Sequence, residues 1–397
     1  MKTYLWQIVS LGSLLFLMVL ANSLFIPLVP IIQKELYLTP VDSSLILTVF
    51  TIPAVIVIPM IGIFSDRFGR KKMIEFSLLV IVLGTVISIV ASHFSSWTLI
   101  LFGRLLQGIG AGGTTLAMAM AGDLFQGKKL SQGLGALEMF NGFAKVISPM
   151  IGGFVALFAW HYSFYLLLVV TVVVLILFRY TMSGRENKTK KLAFKSYLRQ
   201  FTNAWRKNYP WLLPLFLCTS VGLFVLFGTL FLLTFELEAI YTIHGVEKGF
   251  YLAIPFSGLV AFSYITGKTI GTHQEKMKKA MMIGLMLFFA AICCLVFFHN
   301  LFSLIFFSTV IASSLGIYLP ASNTFVTASV TVYERGVIVS LYNAVRFLGV
   351  AFGPIFFGAW MFDLMALFFK TAFIAGVSIV TFMISWNCLS AFVKGAS

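Results

Sequence analysis

Charged residues are scarce in this chain of 397 residues, of which they make up 10%, whereas hydrophobic residues make up 60%. Acidic residues are the scarcest, with 13 Asp and Glu against 28 Lys and Arg. No soluble domain could bury so large an apolar fraction, so the composition excludes an ordinary soluble protein. The class that it predicts is a polytopic membrane protein.

Residue patterns typical of catalysis or metal binding are missing as well. The four cysteines lie inside apolar runs, and the five histidines lie in loops or at the ends of such runs, without the spacing of metal ligands. No G-x-x-x-x-G-K-S/T segment occurs, so ATP is not the expected energy source. The sequence therefore predicts no enzyme activity, no cofactor and no metal.

Hydrophobic runs of membrane-spanning length recur along the whole chain. A spanning helix needs about 20 mostly apolar residues, and only a helix satisfies its own backbone in lipid. We therefore predict an all-α integral membrane protein with twelve transmembrane helices. The predicted spans are 6–32, 44–64, 73–93, 97–121, 133–157, 161–181, 210–236, 246–267, 280–298, 301–325, 337–362 and 366–389.

One long polar interruption, 182–209, separates the predicted spans into two sets of six. We predict an N-terminal six-helix bundle over 1–181 and a C-terminal one over 210–397. The second part of the linker is amphipathic, which predicts a helix lying on the inner leaflet. A single shift places Pro149 on Pro354 and aligns the small residues that follow them, so the bundles are expected to be pseudo-symmetric copies.

The basic residues predict the orientation. With the N-terminus inside, most of the 28 Lys and Arg fall on the inner side, and only Lys34, Lys248 and Lys370 fall on the outer side. The positive-inside rule then makes both termini cytoplasmic in a multi-pass protein of the cell membrane. Topology and contact with lipid headgroups explain the basic excess, so we expect no nucleic-acid partner. We expect a monomer.

A short charged loop follows the second span. Its lone acid, Asp66, lies among basic residues that include Arg67 and Arg70, and glycines occupy positions 62 and 69. The loop resembles the G-x-x-x-D-R-x-G-R-K-x pattern between the second and third helices of the major facilitator superfamily. The resemblance implies that Asp66 contacts the positive N-terminal end of span eleven and gates the inner side. Arg67 and Arg70 would complete this network, while Gly62 and Gly69 would allow close backbone approach.

Span four carries a buried charge within a glycine-rich segment. Arg104 and Gln107 match the R-x-x-Q-G motif in the fourth helix of the same family. The resemblance implies a role for Arg104 in proton coupling, because charges inside a membrane tend to mark transport pathways. The alternative is that Arg104 binds backbone carbonyls and steadies a helix rich in glycine. Asp123, at the inner end of this span, is expected to be solvated.

Span five contains a pattern of small residues with one proline: Gly135, Ser148, Pro149, Gly152 and Gly153. It resembles G-x8-G-x3-G-P-x-x-G-G, the fifth-helix motif of the proton-driven exporters in the family, with two glycines replaced by other small residues. Small residues and a proline let two helices approach closely and bend. The resemblance implies a twelve-helix drug:proton antiporter, and generic helix packing is the alternative.

Span five also carries Glu138, the one carboxylate that falls clearly within a predicted span. A proton-coupled carrier needs a carboxylate whose proton affinity burial can raise. Glu138 is therefore the candidate proton site by elimination. The alternative is a structural ion pair with Arg104 or Lys145. The residues predicted to line a substrate cavity are Asn22, Asn141, Lys145, Asn343 and Arg346.

The predicted function is proton-coupled export of small lipophilic compounds by alternating access of the two bundles. The abundant Phe and Met would suit an adaptable apolar cavity, although contact with lipid explains most of them. Lys145 and Arg346 outnumber Glu138 in the spans, which favours an alternative: export of an anionic or zwitterionic metabolite, sugar or peptide. A membrane enzyme or receptor would need a catalytic or metal cluster, which the sequence does not offer.

Overall fold

The structure is a computed structural model that describes residues 2–182, 194–271, 273–330 and 332–394. All regular secondary structure in these ranges is helical, which confirms the predicted all-α fold. The helices are α1 Lys2–Ser23, α2 Val29–Glu35, α3 Pro40–Phe68, α4 Arg70–His93, α5 Trp97–Thr114, α6 Leu116–Leu124, α7 Gly127–Val155, α8 Tyr162–Thr181, α9 Phe194–Ala239, α10 Gly245–Ile270, α11 Gln274–Phe297, α12 Leu301–Ser329, α13 Val332–Trp360 and α14 Leu364–Lys394. A 3₁₀ turn, Ile26–Leu28, joins α1 to α2.

Ten helical stretches in the described ranges are long and apolar enough to cross a membrane. The predicted spans 97–121 and 133–157 are not among these ten. The first is divided at Thr115 into α5 and α6, and its glycines, together with Arg104, lower the hydropathy. The second lies in α7, where Glu138 and Lys145 have the same effect. Both are helices, but their apolar character is weaker than that of the other spans.

The chain folds into two compact units, the first made of Met1–Phe194 with Ile243–Ala253 and the second of Lys195–Thr242 with Ile254–Ser397. In the first unit α5 packs on α3 and α4, and α1 packs on α7 and α8. Glycines allow close packing: a Cβ at Gly103 would lie 2.6 Å from the Gly84 carbonyl oxygen. Glycine also allows close helix packing in the second unit, since a Cβ at Gly353 would lie 2.5 Å from the Phe224 carbonyl oxygen.

The structure corrects one expectation about the linker. The amphipathic part of the linker is helical, but it continues without a break into the seventh span as α9 and is not a separate helix; residues 183–193 lie outside the described part. Lys248 lies near the start of α10, within the predicted span 246–267, and is fully buried.

Candidate functional site

Arg104 is fully buried in the first unit and joins three helices. Its Nε donates to the Ile46 carbonyl oxygen of α3, and its Nη1 donates to the Ala21 carbonyl oxygen of α1, both at 2.8 Å. Nη1 also donates to Gln107 Oε1 of α5 at 2.8 Å. Because α1 ends at Ser23, the Ala21 carbonyl has lost its helical donor, and the guanidinium replaces it.

Two aromatic rings flank the same guanidinium. The Arg104 Cζ lies 4.4 Å from the ring centroids of both Phe25 and Phe50, within the range of cation–π contact. Nη2 has no hydrogen-bond partner among the described residues. The two aromatic rings are the favourable contacts of this side of the guanidinium. In this geometry Arg104 binds backbone carbonyls, which is the alternative role that the sequence left open. This geometry also leaves Glu138 without Arg104 as an ion-pair partner, since Glu138 is exposed on α7.

The charged loop after α3 pairs with α6. Arg70 Nε lies 2.9 Å from Asp123 Oδ2, and Asp123 is exposed, as expected, while it pairs with Arg70. The half-buried Asp66 carboxylate lies within electrostatic range of both groups. Hydropathy could not reveal this ion pair, because Arg70 and Asp123 are distant in the sequence and only tertiary packing brings α6 beside α4. The side chains of residues 331–335 are outside the described part, so the contact of Asp66 with span eleven stays a prediction.

The two glycines of this loop have different surroundings. Gly69 separates α3 from α4 at a φ of 93° and a ψ of 137°, a conformation that other residues rarely adopt. A Cβ at Gly62 would meet open space among the described residues, so the close backbone approach expected there stays a prediction. Arg67 is exposed, and its Cζ lies 5.5 Å from the Phe68 ring centroid.

Helices α1 and α7 carry the polar residues predicted for the first unit. They run parallel, because a Cβ at Gly12 would meet the Phe140 ring and a Cβ at Gly152 would meet the Leu24 carbonyl. In this register Asn22 and Asn141 are separated by ~14 Å along the helix axes. The structure therefore does not place them side by side. Their Oδ1 atoms are both buried and without a hydrogen-bond partner in the described part of the chain.

The small residues of α7 form a tight seam with the start of α10, which belongs to the same unit. A Cβ at Gly249 would lie 2.6 Å from the Pro149 carbonyl oxygen, and a Cβ at Gly153 would clash with the Gly245 carbonyl. Ser148 is buried and donates to the Ala144 carbonyl at 2.5 Å. Gly135 meets open space among the described residues and takes no part in the seam.

The second unit holds the other two predicted cavity residues, Asn343 and Arg346, on α13. Both are half-buried, and the Arg346 Cζ lies 5.9 Å from the ring centroid of Tyr342. The buried Tyr342 hydroxyl forms a hydrogen bond of 2.7 Å with Ser322 of α12. One residue that sequence reasoning missed is Asn323, whose Oδ1 is buried without a partner in the described ranges. Its only signal in the sequence is an amide within an apolar run.

Comparison with known proteins identifies the family. A family model described as Major Facilitator Superfamily matches residues 11–273. Over 379 residues the chain is 36% identical to the bacillibactin exporter of Bacillus subtilis (strain 168), and the match covers 94% of each chain. The fold is that of an all-helical membrane protein, and the chain belongs to the Major Facilitator Superfamily. The predicted family is confirmed, and with it a multi-pass membrane transporter of small molecules.

Solved structures agree at the level of the fold. The human organic anion transporter TETRAN superposes with a TM-score of 0.71 at 16% identity, covering 96% of this chain and 99% of that one. The nucleoside transporter NupG superposes with a TM-score of 0.73 at 13% identity, with the same two coverages. At these identities the likeness concerns the fold alone.

Proposed function

We propose that this chain is a proton-coupled exporter of small metabolites, with bacillibactin as the first compound to test. The observation that carries the proposal is the 36% identity to the bacillibactin exporter across 94% of both chains. A Mycobacterium tuberculosis triacylglyceride transporter matches less of this chain, with 26% identity over 36% of it. The match to an exporter covers both of the predicted six-helix bundles.

The polar groups in the first unit support a polar cargo. The Oδ1 atoms of Asn22 and Asn141 are buried acceptors without partners in the described ranges, and such groups are costly unless a ligand or water binds them. Lys145 and Arg346 add positive charge to the spans. These features favour a hydrogen-bonding or anionic metabolite over a lipophilic cation.

The mechanism that we propose is alternating access by twelve spans in two six-helix bundles, 1–181 and 210–397, joined by 182–209. Glu138 remains the proposed proton site by elimination, although it is exposed on α7 and so lacks the burial on which that expectation rested. Asp66, Arg67 and Arg70 are the proposed inner gate. Both termini would be cytoplasmic, and the transporter would act as a monomer.

A second candidate function is efflux of lipophilic drugs. The seam between Pro149–Gly153 and the start of α10 favours it, because the matching fifth-helix motif resembles that of drug:proton antiporters. The two candidates differ in the charge and polarity of the cargo. Both candidate functions are coupled to protons. Measuring the proton movement that each class of cargo evokes therefore distinguishes the two functions.

The test is proton movement across liposomes that hold the purified protein and an internal pH reporter. Bacillibactin is expected to evoke proton movement, and a lipophilic cation is expected to evoke less. Glu138→Gln should abolish the signal, whereas Glu247→Gln, which removes an exposed carboxylate in the first turn of α10, should leave it unchanged. A signal evoked only by the cation would overturn the cargo, and a signal that survives Glu138→Gln would overturn the proton site.

A further inference from the structure

Two helices of the second unit, α11 and α14, enclose an apolar groove of about 480 Å³. On α14 the lining residues recur every three or four positions, as on one face of a helix. They include Phe369, Phe373, Gly376 and Val380, and Phe289 of α11 closes the opposite side. The groove therefore runs along the axis of α14 and does not cross it.

The floor of the groove depends on a glycine. A Cβ at Gly376 would lie 3.4 Å from Cε2 of Phe289, so a larger side chain would fill the space beside that ring. The one hydroxyl in the lining belongs to Thr381, and it donates to the Ser378 carbonyl at 2.7 Å. The groove thus offers an occupant apolar contact without hydrogen bonds, which suits a hydrocarbon chain.

A positive charge beside an indole lies next to Phe369, a lining residue at one end of the groove. Lys370 directly follows Phe369, is exposed, and has its Nζ 5.2 Å from the Trp360 ring centroid. Tryptophan is enriched where the hydrocarbon meets the headgroups, and lysine there attracts lipid phosphate. The nearby Asp363 carboxylate accepts a hydrogen bond from the Ala366 amide, 3.0 Å away, and so caps the start of α14.

The length of the groove matches one leaflet. From Phe369 to Val380 the axis of α14 rises ~16 Å, and half the hydrocarbon core of a bilayer is ~15 Å. We propose that the groove binds one acyl chain of an anionic phospholipid whose phosphate pairs with Lys370. The predicted topology places this lipid in the outer leaflet. The site lies wholly within the second unit and is independent of the transported substrate.

The test is lipid retention measured by native mass spectrometry. The purified protein would be incubated with equal amounts of phosphatidylglycerol and phosphatidylcholine that carry the same acyl chains. The wild type is expected to retain phosphatidylglycerol preferentially. Lys370→Gln is expected to lower that retention about five-fold, since one basic contact is lost. Lys34→Gln, an exposed lysine also predicted to be outside, is the matched control and should change nothing.

The acyl chain is tested separately from the headgroup. Gly376→Phe should displace the acyl chain and lower the retention of both lipids. If Gly376→Phe does not fold, Val380→Trp would be used in its place. A phosphatidylglycerol with a diazirine on its acyl chain should label the peptide 369–381 of the wild type. Equal retention of the two lipids, unchanged retention in Lys370→Gln, or labelling elsewhere would each overturn the site.

Discussion

At the residue scale, Arg104 holds acceptors on three helices, Ala21 and Ile46 by their carbonyls and Gln107 by its amide. We predict that Arg104→Lys lowers the free energy of unfolding by about 2–4 kcal/mol, because one ammonium cannot reach three acceptors in the geometry of a guanidinium. Thermal unfolding in detergent measures the loss. Arg67→Lys is the control, since Arg67 is exposed.

The alternative role of Arg104 gives a different result. A residue that carries or controls the proton would change the pH dependence of transport in a variant that remains stable. If Arg104→Lys unfolded at the wild-type temperature and transport lost its pH dependence, the structural interpretation would be wrong.

Two glycines of the charged loop make a matched pair of substitutions. Gly69→Ala is predicted to cost about 1–3 kcal/mol, because alanine is strained at a φ of 93°. Gly62→Ala should leave the stability unchanged or raise it by up to about 1 kcal/mol, since Gly62 lies inside α3 next to open space. Unfolding midpoints of the two variants test the pair, and equal losses would contradict the assignment.

At the scale of helices, the seam between α7 and α10 is a contact of backbone on backbone. Gly249→Val is predicted to lower stability and export together, because its Cβ would lie 2.6 Å from the Pro149 carbonyl oxygen and only helix separation relieves that clash. Gly135→Val on α7 is the control for steric effects, since its Cβ meets open space in the described structure. Vesicle export assays and unfolding midpoints would be compared. Wild-type behaviour of Gly249→Val would show that the seam is not needed in the transport cycle.

At the scale of the whole molecule, the prediction concerns the energy source. Export by proteoliposomes is expected to follow an imposed pH gradient and to stop when a protonophore dissipates it, because the chain has no phosphate-binding loop for ATP. Substrate efflux would be followed with and without the gradient, and with ATP added on both sides. Efflux that continues without a gradient, or that requires ATP, would refute proton coupling.

Much of the secondary structure and the family could be predicted from the sequence because the signals for them are local. Hydropathy located the helices, since each helix satisfies its own backbone within one segment. The motif around Arg104 and Gln107 was recognised because its residues are one turn apart. The weak apolar character of span four and the break at Thr115 were not predicted. In the sequence, a helix rich in glycine has nearly the same pattern as an uninterrupted apolar run.

The sequence alone determined the membrane class, the helical elements and the family, because composition and short motifs carry that information. Only the tertiary structure decided which polar groups are paired. Arg70 meets Asp123, Arg104 meets Ala21, and Lys248 is buried, through contacts between segments far apart in the chain. The same holds for the groove below Lys370, which exists because α11 places Phe289 beside Gly376. Burial and pairing depend on neighbours in space, and a linear pattern does not specify them.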